Sequence, residues 1–103
     1  MWAQLIRMRV KPGEGTEEMI KEIRAAEQPG SGLVRTLAMR DQGDPAALYT
    51  LVVFESEEKA RAREQDPRRQ ERLQAAREIM AGILDGAPEF TDLEVVDEWT
   101  GET

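Results

Sequence analysis

The chain has no cysteine, no histidine and no asparagine among its 103 residues. Without histidine it lacks the commonest metal ligand and the side chain that carries protons near neutral pH. Without cysteine it has no thiol nucleophile and no disulfide, which fits a reducing compartment. Aromatic residues are scarce, and Tyr49 is the single tyrosine. No apolar run approaches the roughly 20 residues that span a bilayer. The segment from Met1 to Lys11 has neither the basic head nor the continuous apolar stretch of a secretory leader. These absences predict a cytoplasmic protein with no membrane segment, no bound metal and no cofactor of its own.

What is present in excess is negative charge. Twenty-one acidic residues stand against 14 basic ones, a formal net charge of -7. That field repels nucleic-acid phosphates and anionic lipid. The one basic cluster, Arg61 to Arg77, is interleaved with Glu64, Asp66, Glu71 and Glu78, the pattern of a solvated helix face. No nucleic-acid partner is therefore expected.

The length suits one domain with a single core, expected over residues 1–99 and followed by a polar tail, 100–103. From Trp2 to Lys11 the residues alternate, with Gln4, Ile6, Met8 and Val10 on one side and Leu5, Arg7, Arg9 and Lys11 on the other, which predicts a strand. Lys11-Pro12-Gly13-Glu14-Gly15 breaks it. Thr16 as N-cap, followed by Glu17 and Glu18, opens a helix to about Glu27 with Met19, Ile20, Ile23 and Ala26 on its apolar stripe. Strands Leu33 to Asp41 and Ala47 to Glu55 form a hairpin around Gln42-Gly43-Asp44-Pro45. Ser56 starts a short helix, and Asp66-Pro67 starts a longer one carrying Leu73, Ala76, Met80, Ile83 and Leu84 on one face. A last strand is expected from Glu89 to Trp99.

The resulting order gives an α+β fold of the ferredoxin-like βαββαβ kind, an antiparallel sheet with helices on one face. Its first and last strands are neighbours, which predicts an aromatic pair between Trp2 and Trp99. The strand from Ala47 is apolar on both sides: Leu48, Val52 and Phe54 on one, Tyr49, Leu51 and Val53 on the other. Helices cover one side only, so the other predicts a homodimer.

Three segments carry a resemblance to a known family. They are Val10-Lys11-Pro12-Gly13 at the end of the first strand, Gly32 to Asp41 with Arg35 and Arg40-Asp41, and Phe54-Glu55-Ser56-Glu57-Glu58 followed by Asp66-Pro67. In this joint spacing, over nearly the whole chain, the sequence resembles the antibiotic biosynthesis monooxygenases. The resemblance implies a dimeric α+β barrel, two sheets closed face to face, with a ligand cavity in each subunit between sheet and helices. It also implies a small hydrophobic or aromatic ligand, because similar proteins include cofactor-free oxygenases of aromatic polyketides, quinol oxygenases and haem-degrading enzymes. Histidines usual in the family align with Arg63 and Arg68, and the haem-degrading pattern of Asn, Trp and His aligns with Ile6, Arg63 and Leu73. Ligation of haem by histidine is thereby excluded.

The ligand-pocket candidates are Ile6, Met8, Phe54, Arg63, Arg68 and Leu73. The apolar members would wall a dry pocket, and either arginine, turned inward, would stabilise an enolate or a reduced oxygen species. No catalytic base stands out, since parity turns Tyr49 away from the helices. Two functions follow: a cofactor-independent monooxygenase of an aromatic or polyketide-like metabolite, or a non-catalytic dimeric protein that holds such a metabolite or serves a pathway enzyme.

Overall fold

A computed structural model of the chain describes residues 1–13 and 15–102. Glu14, within the expected strand breaker, and Thr103, in the expected tail, lie outside the described residues. The elements are β1 (Trp2–Arg9), α1 (Thr16–Ala25), β2 (Leu33–Arg40), β3 (Ala47–Phe54), α2 (Glu57–Glu64), α3 (Pro67–Arg72), α4 (Gln74–Ile83) and β4 (Glu89–Glu94). The strands form one antiparallel sheet in the order β2-β3-β1-β4. This is the ferredoxin-like α+β arrangement that the sequence predicts.

Register fixes which side chains share a face. Trp2 lies opposite Phe54, Gln4 opposite Val52 and Met8 opposite Leu48, all on the helix side. There they divide into two clusters. Trp2, Val52, Phe54 and Ala60 form one, and Met8, Val10, Met19 and Leu48 form the other, with Ile6 packed against both. Met19 and Ala26 are fully buried, whereas Ile20, expected on the same stripe, is exposed.

On the opposite face Leu37, Leu51 and Leu5 form a continuous row across β2, β3 and β1. Arg35, Val53, Ala3 and Leu93 make the next row, and Met39, Tyr49, Arg7 and Glu89 the one on the other side. No element of the described chain covers this face. Of its three arginines, Arg7 pairs with Glu89 at 3.6 Å and Arg9 with Asp44 at 2.9 Å, while Arg35 has no ion-pair partner among the described residues.

Local chemistry accounts for most boundaries. Asp41 Oδ1 accepts from Gly43 N at 2.7 Å in the β2–β3 turn. Ser56 caps α2 by accepting from Lys59 N at 3.2 Å, and Asp66 caps α3 with Pro67 in its first turn. Gly32 at φ 83 opens β2 against α2; a Cβ there would stand 2.7 Å from Lys59 Cβ, closer than side chains pack.

Four expectations are corrected. Gly15 takes the N-cap position of α1, so Thr16 is its first helical residue. The long helix after Asp66 is two, α3 and α4, joined at Leu73. Arg77 bridges the joint by donating to the Gln70 carbonyl at 3.2 Å, satisfying a group the break would expose. The last strand ends at Glu94, opposite Trp2; one further bond, from Val95 N to the Met1 carbonyl at 3.3 Å, does not extend it. Trp99 is consequently 82% exposed and Trp2 pairs instead with Phe54, their ring centroids 6.0 Å apart.

Candidate functional site

Helix α2 aims Arg63 back over the sheet and toward the α1–β2 loop. Its guanidinium lies over the Phe54 ring, 5.1 Å from the centroid. It grips Glu27 through Nε at 3.0 Å and Nη2 at 2.6 Å. The Arg63 side chain is only 12% exposed and that of Glu27 25%. Burial works to raise the Glu27 pKa, but hydrogen bonds from Arg63 and Ser31, with the positive charge of Arg63 and Arg69, outweigh it and hold the carboxyl below its ordinary 4.5.

A depressed folded-state pKa means that the pair stabilises the fold fully above the unfolded value and loses that contribution as pH falls through the folded one. A double-mutant cycle of Glu27→Gln and Arg63→Gln, read by urea unfolding at pH 7, is expected to give a coupling of about 1–2 kcal/mol, above the roughly 0.2–1 kcal/mol of exposed pairs. The coupling vanishes once the medium is acid enough to protonate Glu27. Zero coupling at pH 7 would show the pair to be ornamental.

Beside this pair is a cavity of about 150 Å³ between the loop Gln28–Ser31 and helices α2 and α3. Arg63, Arg68, Arg69, Lys59 and Asp66 contribute to its wall. Arg68 reaches back to Asp66 at 2.8 Å, and its hydrogen bond holds the Asp66 carboxyl below the ordinary range. Lys59 pairs with Glu55. Arg69 behaves differently: its Nε is buried with no hydrogen-bond partner, and burial, followed by the neighbouring Arg63 charge, lowers its pKa.

The six sequence candidates do not all meet here. Arg63 and Arg68 line the cavity, and Phe54 supports Arg63 from below. Ile6 and Met8 belong to the packed layer between sheet and helices, and Leu73 marks the α3–α4 joint. A second, shallower recess of about 380 Å³ runs along α4 past Arg77, Met80 and Leu84. Near the sheet edge Arg61 stacks 5.0 Å from the centroid of Trp2 and bonds Asp92 at 2.9 Å, which also accepts from Gln4 at 3.1 Å. Phe90, on the helix side of β4, is 60% exposed.

Two residues of the site were not among the sequence candidates, Glu27 and Arg69. Each had a signal. Glu27 directly follows the C-terminal cap of α1, where the helix dipole disfavours a carboxylate unless a cation answers it. Arg69 falls on the stripe that continues through Leu73, Ala76 and Met80, one turn earlier. Among the described residues no three acidic side chains converge as a metal site, and no helix is long and apolar enough to cross a membrane.

No family model matches the chain, and no curated protein matches it. Solved structures do. A Chloroflexus aurantiacus J-10-fl protein, provisionally described as an antibiotic biosynthesis monooxygenase, is 24% identical over 98% of this chain and 100% of its own, with a TM-score of 0.65. A Caulobacter crescentus CB15 protein with the same provisional description is 18% identical over 93% and 90%, with a TM-score of 0.74. SnoaB of Streptomyces nogalater, a cofactor-independent oxygenase, is 17% identical over 94% of both chains, with a TM-score of 0.71. From end to end, this chain has the fold of the antibiotic biosynthesis monooxygenase proteins.

Proposed function

We propose that the chain is a homodimeric small-molecule-binding protein of the antibiotic biosynthesis monooxygenase family, working in the cytoplasm on a hydrophobic or aromatic metabolite. The observation that carries this reading is the end-to-end match to that fold, SnoaB included. The domain spans residues 1–99. The uncovered leucine row gives the face for a second copy, and the segment after β4, with Val96 89% and Trp99 82% exposed, has apolar side chains to lay on it.

The reaction to test is cofactor-independent oxygenation. An acidic phenol or activated methylene, once deprotonated, supplies the electrons itself. One atom of O2 enters the product as a carbonyl oxygen and the other leaves as water with the two methylene hydrogens. The protein's part would be a dry pocket and a cation beside the developing oxyanion; that Arg63 and Arg68 both line one cavity supports giving them this role.

A second reading, binding without turnover, is favoured by one observation. Arg63 is already engaged by Glu27, and a carboxylate held below its ordinary pKa is a weak base. Oxygen uptake with a polycyclic phenol, alongside equilibrium dialysis of the same compound, separates the two. Uptake above the spontaneous rate establishes the oxygenase. Retention without uptake establishes the binding protein, and neither effect with any of a panel of such phenols contradicts both.

A further inference from the structure

We infer that the cavity between the α1–β2 loop and helices α2 and α3 is a carboxylate site anchored by Arg69, so that the small molecule carries a carboxylate group. The inference rests on the reading above that this cavity holds the ligand. Three of the four cations in the wall are already matched: Arg63 by Glu27, Arg68 by Asp66 and Lys59 by Glu55. Arg69 has no carboxylate within 4.0 Å among the described residues, and its Nε is buried without an acceptor. A buried N–H on a charged group, left unpaired, is costly, and an anion in the adjoining space removes that cost once the Arg69 side chain turns its Nε edge toward the cavity.

The shape of the vacancy sets the chemistry. A free Nε lies on the edge of the guanidinium that offers two parallel N–H bonds to a planar carboxylate. Arg63 uses the same edge, Nε with Nη2, to hold Glu27 alongside. The volume, about 150 Å³, is below the roughly 300 Å³ at which whole drug-sized ligands are enclosed, and fits a head group with a small body. Arg69 has no direct ion pair, but Asp66 in the wall and the nearby charges of Glu27 and Glu64 keep the site only weakly positive, which favours a monoanion over a phosphate dianion.

Benzoate, with inorganic phosphate at matched ionic strength, tests this by calorimetry and thermal unfolding of the full chain. Benzoate is expected to bind the wild type and the remote control Lys21→Gln alike, and Arg69→Met about tenfold or more weakly. Without ligand, Arg69→Met should melt at or above the wild type, because it removes a half-buried guanidinium whose Nε has no acceptor. Equal benzoate binding by Arg69→Met, an unliganded midpoint several degrees lower, or tighter binding of phosphate than benzoate would each overturn the assignment. Should that variant not fold, the wild type alone decides: its Arg69 Nε–H proton resonance moves on benzoate addition if the site exists, and stays put if it does not. A dimer that retains or oxidises a polycyclic phenol yet ignores benzoate overturns the carboxylate site and leaves the proposed function standing.

Discussion

Leu51→Glu is expected to yield a folded monomer. Leu51 stands at the middle of the row Leu37–Leu51–Leu5, on the face of the sheet that no helix covers. In a symmetric dimer that packs these faces together, the same residue on both copies is buried at or near the axis. Introducing a carboxylate there buries two like charges, and since Arg7 and Arg9 already answer Glu89 and Asp44, only Arg35, one row away beside Val53, is left to offset them. The cost is several kcal/mol of association, roughly a hundredfold or more in the dimer constant. Light scattering during size exclusion should report twice the 11.6 kDa chain mass for the wild type and the single mass for the variant. Circular dichroism should stay that of the folded protein, because the helix-side clusters are untouched. A variant that remains dimeric places the contact elsewhere.

Phe54→Ala carries the largest expected loss of monomer stability. Phe54 is 3% exposed, packs against Trp2, and supports the Arg63 guanidinium on its face. Removing the ring leaves a cavity in the first cluster and takes away the surface on which Arg63 meets Glu27. Substitutions of this kind cost about 3–5 kcal/mol, a large part of the roughly 5–15 kcal/mol that holds a domain together. The thermal midpoint should fall by more than about 10 °C. Phe54→Leu should recover most of the burial but not the cation–ring contact, typically about 0.5–1 kcal/mol. A loss below about 1 kcal/mol for the alanine variant would mean that Arg63 and Glu27 do not depend on this ring.

What the sequence shows well is whatever rests on local chemistry or strict alternation. The Asp44-Pro45 turn, the Ser56 and Asp66 caps, and the two-sided apolar character of β3 are legible in adjacent residues. The break at Leu73 is not, because neither proline nor glycine marks it and Leu73 keeps helical backbone angles, φ -70 and ψ -12. The end of β4 is hidden for another reason. Its alternation runs on through Val95, Asp97 and Trp99, but a strand needs a paired neighbour, and the ladder with β1 stops at Trp2 opposite Glu94, with only Val95 N reaching the Met1 carbonyl beyond it.

The site shows the same division. Arg63 and Arg68 were visible as arginines in place of family histidines, and the cavity brings both to its wall. Glu27 and Arg69 each left a hint in the sequence, but what they meet shows only in the fold. Glu27 reaches Arg63 across 36 residues of chain, and charge patterning within one helix says nothing of that distance. Arg69 looked like any residue of a solvated charge run until its Nε proved to be buried.

Native mass spectrometry of the protein purified from its own host decides whether it is a homodimer that holds a small molecule. The expected result is twice the 11.6 kDa chain mass with an added mass that gentle activation releases as an anion. A bare monomer at micromolar concentration would contradict both the dimer and the ligand.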